Sequence, residues 1–202
     1  ELFTEPMASE LLFIQQQWAI VNYQTDKNEQ EEAFEDLLNK IDQLALLYPN
    51  TSEPKVWQGI IRSTYAGFIG GLSALSYVKD ARDYLLLAKK LDDTVLGGSV
   101  YTSLGTLYAK VPGWPIAFGD DDDAEVLLKK GLENNPHGKI SNFFYGEFLF
   151  DERKYHQAKK HLLVAKQVPL RVNSLLADKY RQAEIELLLA QVEKKIAKST
   201  KR

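Results

Sequence analysis

The chain has 202 residues, enough for one domain with a substantial core or for one short helical solenoid. Its 25 basic and 28 acidic residues leave a formal charge of −3, and no basic stripe runs along any segment, which excludes nucleic-acid or anionic-membrane binding driven by phosphate neutralisation. Cysteine is absent, which rules out disulfides, thiolate metal sites and cysteine nucleophiles.

Apolar residues recur at helical spacing along almost the whole chain. Met7, Leu11, Ile14, Trp18 and Val21 form the stripe of a first helix behind the start signal Thr4-Glu5-Pro6. A polar linker is expected at 25–30, and Phe34, Leu37, Ile41, Leu44 and Tyr48 then mark a second helix closed by Pro49-Asn50. Ser52-Glu53-Pro54 has the composition of a cap for a third, which carries Trp57, Ile60, Ile61 and Thr64. Gly67, Gly70 and Gly71 predict a break at its end.

Ala81, Leu85, Ala88 and Leu91 give a fourth stripe, and Val100, Leu104, Leu107 and Tyr108 a fifth. Ala124, Leu127, Leu128 and Gly131 give a sixth, stopped by Asn134-Asn135-Pro136-His137-Gly138. Phe144, Tyr145, Phe148 and Leu149 mark a seventh helix, and Ala158, Leu162 and Ala165 an eighth before Pro169. Leu176, Tyr180, Ala183, Leu187 and Ala190 line a long final one. No strand pattern or membrane-length apolar run competes with these. The start at Glu1 rather than methionine is what removal of a signal peptide, or truncation, would leave.

Ala124, Leu128 and Gly131 recur 34 residues later as Ala158, Leu162 and Ala165, the period of a tetratricopeptide array. Leu104-Gly105 with Tyr108, and Tyr145-Gly146 with Leu149, supply the large-small-large pattern of the first helix in each pair. The expected fold is all-α: a tetratricopeptide-like helical-hairpin solenoid of about four pairs plus a long C-terminal capping helix. It would form one repeat domain over 1–198, followed by a disordered tail at 199–202. Gly146 to Ala158 is twelve residues but Gly105 to Ala124 is nineteen, predicting an enlarged loop at 111–120. Ile61 to Ala81 is twenty, which predicts a second enlarged loop around 68–79.

The stretch 111–124 gathers two prolines, Pro112 and Pro115, with Trp114, Phe118 and the acids Asp120 to Asp123. Those acids lack the alternate spacing, central glycine and distal glutamate of a calcium loop, and read as caps of the following helix. His137, His156 and His161 are the only imidazoles and read as structural. No nucleophile elbow, phosphate-binding glycine loop or zinc helix is present, so neither enzyme activity, cofactor nor metal is expected.

Binding is the better expectation. Trp114 and Phe118 either pack onto a neighbouring repeat or face a ligand. The groove lined by the first helix of each pair would show Lys55, Gln58, Arg62 and Tyr65, then Thr102 and Thr106, then Phe143, Glu147 and Asp151. Such mixed polar and aromatic lining suits a protein partner or a small polar ligand.

Four segments carry a resemblance: Tyr101-Thr-Ser-Leu-Gly-Thr-Leu-Tyr108, Val111-Pro-Gly-Trp-Pro-Ile-Ala-Phe-Gly-Asp120, Asn142-Phe-Phe-Tyr-Gly-Glu-Phe-Leu149 and Arg181-Gln-Ala-Glu-Ile185. Together they resemble the tetratricopeptide proteins grouped with the T component of TRAP transporters. That resemblance implies an exported, periplasmic bacterial protein that assists a solute-binding protein or binds a ligand itself. The expected function is therefore a non-enzymatic adaptor. The alternatives are a stand-alone small-molecule binding protein or an enzyme with a pocket beneath the 111–123 loop, and a cytoplasmic location.

Overall fold

The computed structural model describes residues 5–199. Among them it contains nine α-helices: α1 (Glu5–Tyr23), α2 (Lys27–Leu47), α3 (Ser52–Ile69), α4 (Ala74–Leu91), α5 (Val95–Lys110), α6 (Asp121–Asn134), α7 (Lys139–Asp151), α8 (Tyr155–Gln167) and α9 (Leu175–Ser199). A short 3-10 turn, Val172–Ser174, precedes α9. No strand occurs among the described residues, so the all-α class and the helical hairpins are as the sequence periodicity predicts. Thr4 of the first start signal and positions 200–202 of the predicted tail lie outside the described residues, while Ser199 closes α9.

Two compact units divide the chain: Glu1–Leu96 with Arg171–Ala177, and Gly97–Leu170 with Asp178–Arg202. In the first, Met7, Leu11, Ile14, Phe34, Leu37, Ile41, Leu44, Ile61 and Tyr65 make one continuous core from α1, α2 and α3. The predicted linker at 25–30 is shorter than expected, because α2 already begins at Lys27. Gln30 explains why: it is buried, and its amide donates to the carbonyls of Val21 and Asn22 at 2.8 and 3.3 Å, closing the end of α1. Ser52 is likewise not the cap of α3, a position held by Thr51. Its buried hydroxyl lies 2.9 Å from the carbonyl oxygens of both Ala88 and Asp92, which share its one proton, and so finishes α4.

The enlarged loop expected around 68–79 is not there. α3 continues to Ile69 and α4 starts at Ala74, so each is 18 residues long, against 13 for α7 and 13 for α8. Extra residues in this pair are spent on added helical turns, and Gly70, with φ of 61°, closes α3 in a conformation open to glycine.

The second unit builds its core from Leu128 on α6, Phe143, Tyr145, Phe148 and Leu149 on α7, Leu162 on α8, and Ile185, Leu189 and Val192 on α9. α9 is the longest helix, at 25 residues. It is tied to α8 by ion pairs of Lys159 with Glu193 at 3.0 Å and Lys166 with Glu186 at 3.8 Å.

One packing device closes three hairpins. A Cβ added to Gly59 would stand 2.5 Å from Leu85 Cγ and 3.1 Å from the Ala81 carbonyl oxygen. At Gly105 it would meet Leu128 Cγ at 2.7 Å and the Ala124 oxygen at 3.1 Å, and at Gly146 the Leu162 Cγ at 2.9 Å. Each first helix thus offers a glycine to an Ala-x-x-x-Leu face on its partner, and the helices pack so closely that a Cβ there would press on the partner leucine. Gly105→Ala is expected to cost about 1–3 kcal/mol through overpacking. Gly67→Ala, at an exposed position of α3 with nothing within 4 Å, is expected to add about 0.5–1 kcal/mol. Urea unfolding followed by circular dichroism reads both.

Candidate functional site

The enlarged loop predicted at 111–120 is present, between the end of α5 at Lys110 and the start of α6 at Asp121. Its backbone is closely tied. Gly119 N–H donates to the Pro112 carbonyl at 2.9 Å and Asp120 N–H to the Tyr108 carbonyl at 3.0 Å. The amides of Ile116 and Ala117 share the Gly113 oxygen at 3.1 and 3.2 Å. Gly113 and Gly119 form an isolated bridge, and a Cβ at Gly119 would collide with the Val111 carbonyl oxygen. The Trp114–Pro115 peptide is cis.

This loop separates the two aromatics that the sequence left together. Phe118 turns inward, its ring 5.2 Å from that of Tyr108 and tilted by 64°. Trp114 is 89% exposed and Ile116 is 57% exposed. Asp120 caps α6 as expected, its Oδ1 accepting from the Asp123 amide at 2.9 Å, and Asp121 to Asp123 occupy the first turn, where their charge opposes the helix dipole.

The groove expected on the first unit is not open at Lys55, Gln58 and Arg62, which are buried, and Tyr65, also buried, lines a separate pocket. The cause is register. The glycine equivalent to Gly105 and Gly146 is Gly59, two positions beyond Trp57, so Gln58 and Arg62 stand where the later pairs carry Leu104 with Tyr108 and Tyr145 with Leu149. Burying polar groups there demands partners. Arg62 Nη2 donates to both oxygens of Asp42 on α2, at 3.0 and 2.7 Å, and Gln58 donates to Asp42 Oδ1 at 2.7 Å. The Tyr84 ring of α4 lies 4.5 Å from the guanidinium carbon. Lys55 places its Nζ 3.5 Å from the Ala45 carbonyl, and burial lowers its pKa.

Tyr65 lies against Phe34, Phe68 and Tyr77, with centroids at 5.4, 6.4 and 4.8 Å. It lies at the back of an open pocket of about 510 Å³, lined also by Glu31, Glu35, Phe68, Ile69, Ser73 and Tyr77. Its phenol is pushed up to about 12, first by burial and then by Tyr77, Glu31 and Glu35.

On the second unit Thr102 is buried against Gly131, and Thr106 donates back to the Thr102 carbonyl at 2.8 Å, so neither hydroxyl is held out for a ligand. Phe143 is also buried, 4.3 Å beneath the Arg181 guanidinium, which lies 4.8 Å from Phe144 as well. Glu147 is half-buried and 3.5 Å from Lys110 Nζ, which is 2.7 Å from Asp151. Burial works against the Lys110 ammonium, yet Glu147 and Asp151 outweigh it and raise its pKa. Glu184, 2.7 Å from Arg181, is raised by burial and by Glu147, with Arg181 opposing. The predicted members Glu147 and Asp151 thus belong to a charged band on α5, α7 and α9 whose cations, Lys110 and Arg181, spacing did not identify. The sequence carried no sign of these pairings, since their members lie on different helices.

Arrangements that would support chemistry are not assembled at the histidines. His137 and His156 are exposed. His161 Nδ1 is 3.0 Å from Asn142 Oδ1, and the Asn142 amide donates to the carbonyls of Pro136 and Gly138 at 2.9 Å each, which fixes its orientation. The proton of neutral His161 therefore sits on Nδ1. No group of three or more His, Asp or Glu side chains among the described residues is placed to hold a metal ion. No described helix is long and apolar enough to cross a membrane.

No family model matches the chain, and no curated protein matches it.

Two outcomes follow from the buried polar groups. Asp42→Ala strands the Arg62 guanidinium and the Gln58 amide, and is expected to cost about 1–3 kcal/mol in urea unfolding. Burial, with help from Lys160, lowers the His161 pKa below its ordinary 6.5. The unfolded chain then binds the proton more readily, so the stability present above pH 6.5 falls as pH drops through the folded value. Unfolding midpoints between pH 8 and pH 5 should show that loss, and a His161→Gln variant should lose less of its stability over the same range.

Proposed function

We propose that this protein is a non-catalytic adaptor that binds a partner protein through the 111–120 loop, with Trp114 as the anchor. The observation that carries the reading is the 89% exposure of Trp114 on a loop in which the amides of Ile116, Ala117, Gly119 and Asp120 donate to backbone carbonyls. A large aromatic side chain held in water by a hydrogen-bonded loop enters a contact with little conformational entropy left to lose, and tryptophan dominates the centres of protein interfaces. Ile116 extends the apolar surface beside it.

A small-molecule or catalytic pocket beneath the loop is the weaker reading, because Phe118 and the approach of Gly119 to Val111 occupy that space. The resemblance to the T component of TRAP transporters supports a periplasmic setting and, as partner, a periplasmic solute-binding protein. Gln58, Arg62, Tyr65, Thr102 and Phe143 support the helix pairs in this reading, with the contact shifted from them to the loop.

Trp114→Ala should leave the unfolding midpoint within about 0.5 kcal/mol of the parent while weakening capture of the partner from periplasmic extract by about 2 kcal/mol or more. Phe118→Ala should instead lower stability. If Trp114→Ala retained every captured protein at parental affinity, the adaptor reading of this loop would fail.

A further inference from the structure

The first unit carries a second feature, independent of the Trp114 loop. Glu31 and Glu35 lie one turn apart on α2 and are both exposed. Neither forms an ion pair or hydrogen bond among the described residues. Like charges four residues apart repel along a helix, so this pair costs α2 some stability and receives nothing back from its neighbours. The carboxylates border the pocket of about 510 Å³ whose other walls are Tyr65, Phe68, Ile69, Ser73 and Tyr77. No lysine, arginine or histidine lines it.

The aromatic wall is organised. Tyr77 meets Tyr65 edge-on, with centroids 4.8 Å apart at 78°, and Tyr65 and Phe68 are stacked at 6.4 Å. Tyr65 is buried, and its phenol is raised first by that burial and then by Tyr77, Glu31 and Glu35. The negative potential of Glu31 and Glu35 therefore reaches the floor of the pocket.

We propose that this pocket binds a small organic cation, an alkylammonium with a short apolar stem, its charge facing Glu31 and Glu35 and its stem against Tyr77, Phe68 and Ile69. Paired carboxylates supply the counter-charge, aromatic rings attract the cation through their quadrupoles, and Ile69 takes the hydrocarbon. A hard metal ion fits less well, since calcium takes about six to eight oxygen ligands and these walls offer two carboxylates beside rings. An anion is repelled, and a neutral molecule leaves the glutamates unpaired.

Isothermal titration of the whole chain with butylammonium chloride tests this, with 1-butanol, sodium butyrate and calcium chloride as parallel titrants. Butylammonium alone should bind, and Glu31→Gln with Glu35→Gln should weaken it by about tenfold or more. Both glutamates are exposed and repel each other, so that variant should match or slightly exceed the parental unfolding midpoint; Tyr77→Leu should weaken binding independently. The proposal is overturned if butylammonium gives no more heat than 1-butanol, if the double glutamine variant binds it unchanged, or if calcium is bound in its place. A Trp114→Ala chain should bind butylammonium like the parent, so the outcome stands apart from that of the adaptor reading.

Discussion

The close approach of a glycine on one helix to an Ala-x-x-x-Leu face on the next is the contact on which each closed hairpin depends. Gly59, Gly105 and Gly146 each bring two backbones together where even a methyl group would strike the partner leucine. Leu85, Leu128 and Leu162 are fully buried by that approach, and each contributes roughly 1.5–3 kcal/mol relative to exposure. The glycine also sets the phase of its helix. Residues one before and three after it fall beside the contact, so identity at those positions is a matter of packing before it is a matter of function.

That phase was legible in two pairs and hidden in one. Gly105 and Gly146 stand between large apolar residues and announce themselves, as does the 34-residue recurrence of their partners. Gly59 stands between Gln58 and Ile60, while the nearby Trp57 is the more conspicuous anchor. Choosing Trp57 moves the register by two residues, about 200° around a helix, which turns buried side chains into an apparent surface. Arg62 and Gln58 look like ligand-binding groups by composition. Their acceptor Asp42 lies on another helix, and only the folded chain brings it within 3.0 Å.

Spacing between paired positions was legible too, but not what fills it. The α3–α4 and α5–α6 pairs both hold more residues between glycine and alanine than α7–α8, and they use them differently. Pro112 and Pro115 cannot sit inside a helix, and Gly113 and Gly119 favour a turn, so the excess after α5 becomes a loop. Between Gly59 and Ala81 there is no proline, and Tyr65, Ala66, Tyr77 and Val78 can all be buried, so the excess there extends both helices. A count of residues gives path length; residue type decides whether the path is helix or loop.

Two aromatics in one loop show how local closure separates structure from display. Phe118 is adjacent to Gly119, whose lack of a side chain lets the chain return against Val111, and that return carries Phe118 onto Tyr108. Trp114, in the same loop, is left 89% exposed. Folding alone would favour a polar residue there, just as α2 alone would favour a lysine in place of Glu31 or Glu35. Local rules are obeyed almost everywhere else, in the cap at Asp120, the polar supports of Arg62 and the glycine crossings. Departures from those rules with no compensating contact inside the chain are the positions where a contact outside it gives the physical reason for the residue.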